Sequence, residues 1–128
     1  MQIKELKNID DMLSFHEVIS ELYPTMSIKE YEAKLIEMIP HNYKQAAVFD
    51  DQNRCLGISG FWIGNKLWCG KYMELDNIII MQESRSSGAG SMLFNYLKEK
   101  AIKIGCNIMT LDSYSTNFKA HKFFYNKD

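Results

Sequence analysis

One stretch of the sequence, residues 74–105, constrains the fold more than any other part. An apolar run at residues 75–81 is followed by a polar loop that contains glycines. Apolar residues then recur at intervals of three and four over residues 89–104, which is the period of an amphipathic helix. Gly105 follows at the position where a left-handed residue commonly ends a helix. The stretch therefore predicts a strand, a loop and a helix that crosses over to a parallel strand.

The loop between this strand and this helix has the features of an anion site. It has the spacing R-x-x-G-x-G over residues 85–90. Main-chain N–H groups are free at a helix start, and the helix dipole favours negative charge there. Small residues let a phosphate group approach the backbone closely. The spacing is neither the G-x-G-x-x-G of dinucleotide folds nor that of a P-loop, so the sequence predicts a phosphate-bearing ligand of another kind.

In its strand and helix context, this loop resembles motif A of the GNAT superfamily of N-acetyltransferases, whose pattern is [QR]-x-x-G-x-[GA]. The resemblance implies that the loop holds the pyrophosphate of acetyl-coenzyme A. The binding residues that it implies are Arg85, Ser86, Ser87, Gly88, Ala89, Gly90 and Ser91. An ordinary strand–turn–helix connection is the structural alternative.

The rest of the chain alternates between helix and strand patterns. Asn8 or Asp10 can cap a first helix, and Ser27-x-x-Glu30 forms a capping box for a second helix that Pro40 stops. In chain order, the predicted elements are a strand at 2–7, a helix that Pro24 ends, a helix at 28–39, strands at 44–49 and 54–63, a long strand from 66 to 81, the helix at 88–104, a strand at 107–112 and a short helix at 117–125.

Glycines and strand alternation predict the local geometry of the long strands. Gly64-Asn65 is typical of a two-residue hairpin turn, and Gly57 and Gly60 inside a strand indicate a bulge or a close backbone approach. Side chains alternate between the two faces of a strand. Alternation therefore predicts Glu74, Asp76, Ile78 and Ile80 on one face, and Leu75, Asn77 and Ile79 on the other.

The predicted element order, β-α-α-β-β-β-α-β-α, is the GNAT order. The resemblance implies an α/β (α+β) fold, with a mixed, mostly antiparallel central sheet, flanking helices and a parallel, splayed strand pair around the motif A helix. Family domains commonly close with two more strands, and these are absent here. We therefore expect residues 1–128 to form a single GNAT-like acetyltransferase domain that is truncated at its C-terminus.

The resemblance implies acetyl transfer from acetyl-CoA to a primary amine by direct attack on the thioester. An aliphatic ammonium titrates near ~10.4, so it must lose a proton to a base before it attacks. Glu74 stands where histone-type members carry this base, and Asp112 matches the base position of ribosomal-protein-type members. A solvated strand end and a turn, respectively, are the structural alternatives. The main chain of Ile78, Ile79 and Ile80 would contact the pantetheine and the acetyl carbonyl.

The predicted last helix carries the remaining residues that the resemblance implies. Asn117 opens it in the family pattern N-x-x-A and would contact pantetheine, although an N-cap has a structural use too. Phe124 occupies the position of the family's proton-donating tyrosine, and Tyr125 follows it. One residue rotates a helical side chain by ~100°. Either a local shift brings the Tyr125 hydroxyl to the thioester sulfur, or Phe124 faces the sulfur instead.

The acceptor surface is predicted to be acidic. Glu21, Tyr23 and residues 25–26 lie in the segment that borders the acceptor pocket in the family, and Trp62, Trp68 and Tyr72 are aromatic candidates for its lining. Carboxylates at Glu21, Glu74, Asp76 and Asp112 favour a cationic amine. A polyamine, an aminoglycoside, an amino acid and a protein N-terminus or lysine all remain open as acceptors.

Composition excludes several other classes of function. A net charge of -1 argues against nucleic-acid binding, and no apolar run approaches the ~20 residues of a membrane span. His16, His41 and His121 show no metal-ligand spacing, so no metal is expected. The three cysteines form no C-x-x-C pair and suit a reducing cytoplasm. A second copy of the chain could complete the sheet, which makes a homodimer possible.

Two other functions remain compatible with the sequence. The absent end strands and Phe124 suit a non-catalytic acyl-CoA-binding or interaction module of the same fold. A nucleotide-binding regulatory domain is supported by the glycine loop alone.

Overall fold

The computed structural model describes residues 1–111 of the 128-residue chain. The predicted last helix, together with Asp112, Asn117, Phe124 and Tyr125, lies outside the described residues. The described elements are β1 (Gln2–Leu6), α1 (Ile9–Leu13), α2 (His16–Ile19), α3 (Ile28–Met38), β2 (Tyr43–Phe49), β3 (Cys55–Lys66), β4 (Gly70–Ile80), α4 (Ala89–Lys103) and β5 (Ile108–Leu111), with short 3₁₀ turns at Ile39–His41 and Gln82–Ser84.

The five strands form one mixed sheet in the order β1-β2-β3-β4-β5. The pairs β1–β2, β2–β3 and β3–β4 are antiparallel. The pair β4–β5 is parallel, and α4 connects these two strands. On one face α4 buries Leu93 and Leu97 against the sheet. The other face is covered by α1, α2 and α3, which contribute Met12, Val18 and Leu35. This layered architecture confirms the predicted mostly antiparallel sheet with flanking helices and a parallel strand pair.

The first predicted helix is two short helices, so its prediction as one element was wrong. Asn8 caps α1 through its side chain, which accepts a hydrogen bond from the Asp11 N–H at 2.9 Å. The Ser14 hydroxyl then donates to the Asp10 carbonyl at 2.9 Å, a bond that competes with the helix ladder. Phe15 leaves the helical conformation and packs edge-on against Phe49. Tertiary packing of one aromatic ring therefore interrupts the helical pattern.

The start of α3 confirms the predicted capping box. The Ser27 hydroxyl accepts from the Glu30 N–H at 3.1 Å, and the Glu30 carboxylate accepts from the Ser27 N–H at 2.9 Å. The helix ends at Met38, and Pro40 lies in the 3₁₀ turn that follows. Because both partners of the box are close in sequence, local chemistry alone fixes this boundary.

The hairpin between β3 and β4 is longer than predicted. Gly64 lies inside β3 opposite Tyr72, and Lys66 pairs with Gly70 across a turn at residues 67–69. A Cβ on Gly64 would lie only 2.7 Å from the Tyr72 hydroxyl, whereas Gly70 has the positive φ of 74° that a turn requires. Gly64 therefore permits a close approach within the sheet, and the predicted Gly64-Asn65 turn was wrong.

A β-bulge in β4 changes which side chains share a face. Ser59 pairs with Ile78 but Phe61 pairs with Leu75, so Asp76 and Asn77 stand together opposite Gly60. The strict alternation that we predicted therefore fails after Asp76. Ile78 and Ile80 pack with Leu75 in the core beneath α4, whereas Ile79 belongs to the core on the α3 side.

Candidate active site

The loop before α4 has the backbone geometry of an anion site. Ser86 and Gly88 have positive φ values of 74° and 92°, and Gly88 is the N-cap of α4. The Ser87 hydroxyl accepts from the Ala89 N–H at 3.2 Å, which holds the turn. The first turn of a helix leaves main-chain N–H groups without partners inside the helix. A Cβ on Gly90 would meet Ile80 Cγ1 at 3.6 Å, so the helix start lies directly beside the end of β4.

The strand-end cavity lies between this loop, the end of β4 and the chain after α2. Its volume is about 370 Å³. Arg85 and Glu21 stand on its rim and form an ion pair with 3.8 Å between Nη2 and Oε1. Its described lining is Glu21, Leu22, Asn77, Ile78, Ile79, Ile80 and Arg85. The fold thus brings four residues of the predicted cofactor set together around one cavity.

After the bulge, part of the main chain of β4 directs its hydrogen-bonding groups away from β3. The Met81 N–H donates to the Leu56 carbonyl at 2.9 Å. Because alternate residues of an antiparallel pair bond to the same neighbour, Ile78 and Ile80 turn their N–H and C=O groups away from β3. The described pairing with β5 ends at Leu75. Within residues 1–111, the main-chain groups of Ile78 and Ile80 therefore face an edge that β5 does not cover, whereas Ile79 contributes its side chain to the site.

A second cavity, here named the α3 cavity, lies on the other side of β4. It has a volume of about 240 Å³ and runs between α3 and the sheet. Leu35 and Met38 form part of one wall, and Asp76 of the bulge lies on the opposite wall. Asn77 and Ile79 line both this cavity and the strand-end cavity. The two cavities therefore adjoin at the bulge.

Tyrosine hydroxyl groups form the polar part of the α3 cavity. The Gln45 amide donates to the Tyr31 hydroxyl at 2.8 Å and to the Tyr43 hydroxyl at 3.0 Å. Burial raises the pKa of Tyr31 and the pKa of Tyr43. The negative charge of Asp76 contributes to the raised pKa of Tyr43. The Asn77 amide donates to the Tyr23 hydroxyl at 3.0 Å. Tyr31 and Tyr43 therefore stay neutral in the physiological pH range.

The predicted catalytic residues are placed only in part. Glu74 is half-buried in β4, between Trp62 of β3 and Thr110 of β5. Glu74 is not among the described residues that line either cavity, and its role as a base stays a prediction. Asp112, Asn117, Phe124 and Tyr125 lie outside the described residues, so their roles also stay predictions.

The sequence pattern of α3 predicted a helix but not the part that this helix plays in a cavity. Tyr31 and Met38 line this cavity together with Tyr43 from β2. The local sequence offered only a weak signal, because Tyr31 is the one tyrosine of α3 and a buried tyrosine hydroxyl requires a partner. Of the predicted substrate contacts, Tyr23 and Met26 do line the α3 cavity.

The aromatic residues that were predicted to line an acceptor pocket lie elsewhere. Trp62 packs on the Tyr43 ring at 5.0 Å between centroids, and Lys66 lies over the Tyr72 ring. Trp68 is 67% exposed at the tip of the β3–β4 hairpin. None of these three aromatic residues is among the described lining of the α3 cavity.

Metal binding and membrane crossing find no support in residues 1–111. This part of the chain contains no cluster of three or more His, Cys, Asp or Glu side chains that could hold a metal ion. It also contains no helix that is long and apolar enough to cross a membrane.

The fold and the site together define a class of protein. A helix start suited to an anion lies beside a bulged strand whose edge, within residues 1–111, β5 does not cover beyond Leu75, and a second cavity opens at the same bulge. The chain belongs to the acetyltransferase (GNAT) family, whose model matches residues 12–126. Membership of this family confirms the resemblance that the sequence indicated.

Individual relatives agree with this assignment. The chain is 20% identical to YhdJ of Bacillus subtilis (strain 168), an uncharacterized N-acetyltransferase, over 99% of this chain and 89% of that protein. It is similar in fold to a GNAT family acetyltransferase from Staphylococcus aureus, with a TM-score of 0.73, 22% identity and coverage of 92% and 91% of the two chains. A ribosomal-protein-alanine N-acetyltransferase from Brucella melitensis gives a TM-score of 0.76, 15% identity and coverage of 96% and 88%.

Proposed function

We propose that this protein transfers an acetyl group from acetyl-CoA to a primary amine by direct attack of the amine on the thioester. One observation carries the proposal beyond family membership. Within residues 1–111, β5 does not pair with Ile78 or Ile80, and the main-chain groups of these residues lie beside the start of α4, where Gly90 approaches Ile80. A ligand with a pyrophosphate at the helix start could therefore extend its acyl end along this strand edge.

The loop residues suit the pyrophosphate of acetyl-CoA. Ser86 and Gly88 have the positive φ values of a tight turn directly before α4, and the α4 dipole adds positive potential there. Arg85 is 60% exposed at the rim, where its cation can approach a phosphate. We propose that Gly90 and Ser91 complete the cradle through their main-chain N–H groups, since the resemblance assigns residues 85–91 to this contact. The N–H groups of Ser87 and Ala89 donate to the Ser84 carbonyl and the Ser87 hydroxyl, so we propose that these two residues hold the turn of the loop.

The strand edge suits the thioester. Negative charge develops on the carbonyl oxygen during attack by an amine, and fixed N–H donors stabilise that charge. We propose that Ile78 or Ile80 supplies such a donor, because both turn their main-chain groups away from β3. Ile79 would support the site through its side chain, which lines both cavities.

Proton transfer is assigned to residues that the resemblance suggests. We propose Glu74 as the base that takes the amine proton, with Asp112 as the alternative, and Tyr125 as the donor to the leaving sulfur. Asn117 and Phe124 would contact pantetheine near that sulfur. Acetyl-CoA supplies the activated acyl group, and no metal takes part in this proposal. Cys55, Cys69 and Cys106 form no disulfide with one another in the described part of the chain, which suits the proposed reducing, cytoplasmic site of action.

The experiment that tests the proposal measures release of free CoA. The protein is incubated with acetyl-CoA and each member of a panel of primary amines, and the thiol is detected with DTNB. Amine-dependent release supports the transferase. Calorimetric binding of acetyl-CoA without any amine-dependent release would instead support the non-catalytic acyl-CoA-binding module. Absence of acetyl-CoA binding would contradict both.

A further inference from the structure

We propose that the α3 cavity selects the acceptor, and that this acceptor is a small primary amine with an apolar, aromatic body whose ammonium group lies next to Asp76. The inference rests on the proposed acetyl transfer and names the substrate class of the same site. It is carried by three observations: where the cavity opens, what its walls are made of, and how its charges are distributed.

The cavity opens where the reaction must occur. Asp76 and Asn77 form the bulge, and Asn77 and Ile79 line both cavities. Ile78, which turns its main-chain groups to the uncovered strand edge, follows directly in sequence. An amine that extends from the α3 cavity past Asp76 therefore arrives at the same strand edge as the acyl group. Among the described residues of β4, Asn77 and Ile79 are the two that line both cavities.

The walls favour an apolar body of limited size. Leu35, Met38 and Ile58 are aliphatic, and Tyr31 and Tyr43 add aromatic rings. A volume of about 240 Å³ is smaller than the ~300–1,000 Å³ of typical sites for drug-sized ligands. A sugar or a long polyamine would place hydroxyl or ammonium groups against these apolar walls, where each unpaired polar group carries a free-energy cost. A single ring on a short chain has the matching chemistry.

The charges orient that body. Asp76 places a carboxylate at the bulge end, close enough to Tyr43 for its charge to act on the phenol. The tyrosine rings offer the negative faces that attract an ammonium. Lys34 of α3 also lines the cavity, and its positive charge disfavours a second ammonium group on the ligand. The cavity therefore suits a monoamine better than a diamine.

The acceptor preference is tested with three amines in the DTNB assay: 2-phenylethylamine, ethanolamine and putrescine. Burying a phenyl group in a preformed cavity is worth about 1.5–3 kcal/mol, so kcat/KM for 2-phenylethylamine should exceed that for ethanolamine by about 10–150-fold. Putrescine should be no better than ethanolamine. A preference for putrescine or ethanolamine over 2-phenylethylamine would overturn the inference.

A matched pair of variants on α3 locates the site. Met38 lines the cavity and is half-buried, whereas Ile36 is 57% exposed on the same helix. Met38→Trp should fill the cavity and raise KM for 2-phenylethylamine at least about 10-fold, a change of 1.4 kcal/mol. Ile36→Trp should leave KM unchanged, and neither variant should change the affinity for acetyl-CoA in calorimetry. Equal KM values for the two variants would overturn the inference. If Met38→Trp fails to fold, Met26→Trp on the loop before α3 replaces it.

Asp76→Asn tests the charge separately. It keeps the size of the side chain and removes its negative charge, so KM for 2-phenylethylamine should rise about 10-fold or more. The neutral ligand 2-phenylethanol serves as the comparison, because its inhibition constant should not depend on this charge. An unchanged KM for the amine would contradict the proposed orientation.

The outcomes also separate this inference from the proposed function. If acetyl-CoA binds but no amine of the panel is acetylated, binding of 2-phenylethylamine is measured by calorimetry in the presence of CoA. Absence of 2-phenylethylamine binding then overturns the inference. If other amines are acetylated but 2-phenylethylamine neither binds nor reacts, the inference fails and the transferase stands. If 2-phenylethylamine binds and Met38→Trp abolishes that binding without any turnover, the cavity assignment stands and the transferase fails.

Discussion

Replacement of three glycines separates the cost of backbone strain from the loss of a ligand contact. Gly88 and Gly105 have similar positive φ values, 92° and 88°, and stand at opposite ends of α4. A Cβ at Gly88 would meet only Met1 Cε at 3.9 Å, and a Cβ at Gly105 would meet nothing within 4 Å. Alanine at either position therefore carries the cost of the left-handed conformation, about 1–2 kcal/mol, and no clash.

The two alanine variants should lose similar stability but differ in binding. Urea unfolding of Gly88→Ala and Gly105→Ala should each show the free energy of unfolding lowered by about 1–2 kcal/mol. Only Gly88 lies in the loop that we assign to the pyrophosphate, so only Gly88→Ala should lower acetyl-CoA affinity, by at least about 10-fold in calorimetry. If the two variants bind acetyl-CoA equally well, the loop does not hold the pyrophosphate.

Gly90 supplies the complementary change. It has an ordinary helical conformation, and a Cβ there would make a normal contact with Ile80 at 3.6 Å. In Gly90→Val, the methyl groups have little room beside Ile80, so we expect one to project over the helix start. Stability should therefore change by less than about 1 kcal/mol, while acetyl-CoA affinity falls at least about 10-fold. A folded Gly90→Val protein with unchanged affinity would refute the close approach of a phosphate to this residue.

Four further substitutions test the chemistry and the fold. Glu74→Gln should lower the rate at neutral pH by about 10²–10⁴-fold and regain part of it at high pH, with acetyl-CoA affinity unchanged; a parental rate would assign the base to another group. Tyr125→Phe should lower kcat by about 10–100-fold in the DTNB assay, and an effect on stability alone would place its hydroxyl away from the sulfur. Ser27→Ala should lower the free energy of unfolding by about 1 kcal/mol, because the Glu30 N–H loses the hydroxyl oxygen that accepts its hydrogen bond, and an unchanged urea midpoint would contradict this. Burial opposes the ionisation of Glu5, but hydrogen bonds from Lys100 and Tyr96 outweigh burial and lower its pKa. Glu5→Gln should therefore lower stability at pH 7, and this difference should vanish as the pH falls through the depressed pKa of the Glu5 carboxyl; a difference that persists at pH 2 would refute this role.

Features with local causes were predictable from the sequence. The Ser27–Glu30 capping box, the cap at Asn8 and the helix after Gly88 depend on residues that are at most a few positions apart. The parallel pairing of β4 and β5 was predictable in the same way, because a helix after an apolar run implies a crossover to a parallel strand. Gly105 at the end of α4 has the positive φ that its position predicted.

Features that depend on distant contacts were not predictable. Phe15 lies between α1 and α2, where its ring packs against Phe49 of the distant strand β2. Gly64-Asn65 is typical of a turn, yet Gly64 lies within β3 opposite Tyr72, whose hydroxyl a Cβ at Gly64 would meet at 2.7 Å. The sequence indicated that Gly60 marks a bulge or a close approach, but not that the extra residue lies on the facing strand.

The candidate site divides in the same way. The backbone geometry of the loop at residues 85–90 was predictable, because it depends on a short contiguous motif, whereas its ligand stays a prediction. The α3 cavity was not readable, since Tyr31, Tyr43 and Asp76 come from a helix and two separate strands. Their meeting depends on the antiparallel register and on the bulge, both of which are set by the packing of the whole sheet.

The extra residue in β4 determines which changes the site can accept over evolution. Side chains after a bulge exchange faces relative to an unbroken strand, so loss of one residue at Asp76 or Asn77 would reverse Ile78, Ile79 and Ile80 together. Ile78 and Ile80 would then face the α3 cavity, and the main-chain pattern of the strand edge that we assign to the cofactor would invert. A substitution in the wall of the α3 cavity changes one contact, whereas a deletion at the bulge alters both the strand edge and the α3 cavity. We therefore expect descendants of this chain to diversify their acceptors by exchanging side chains, with the length of this strand held constant.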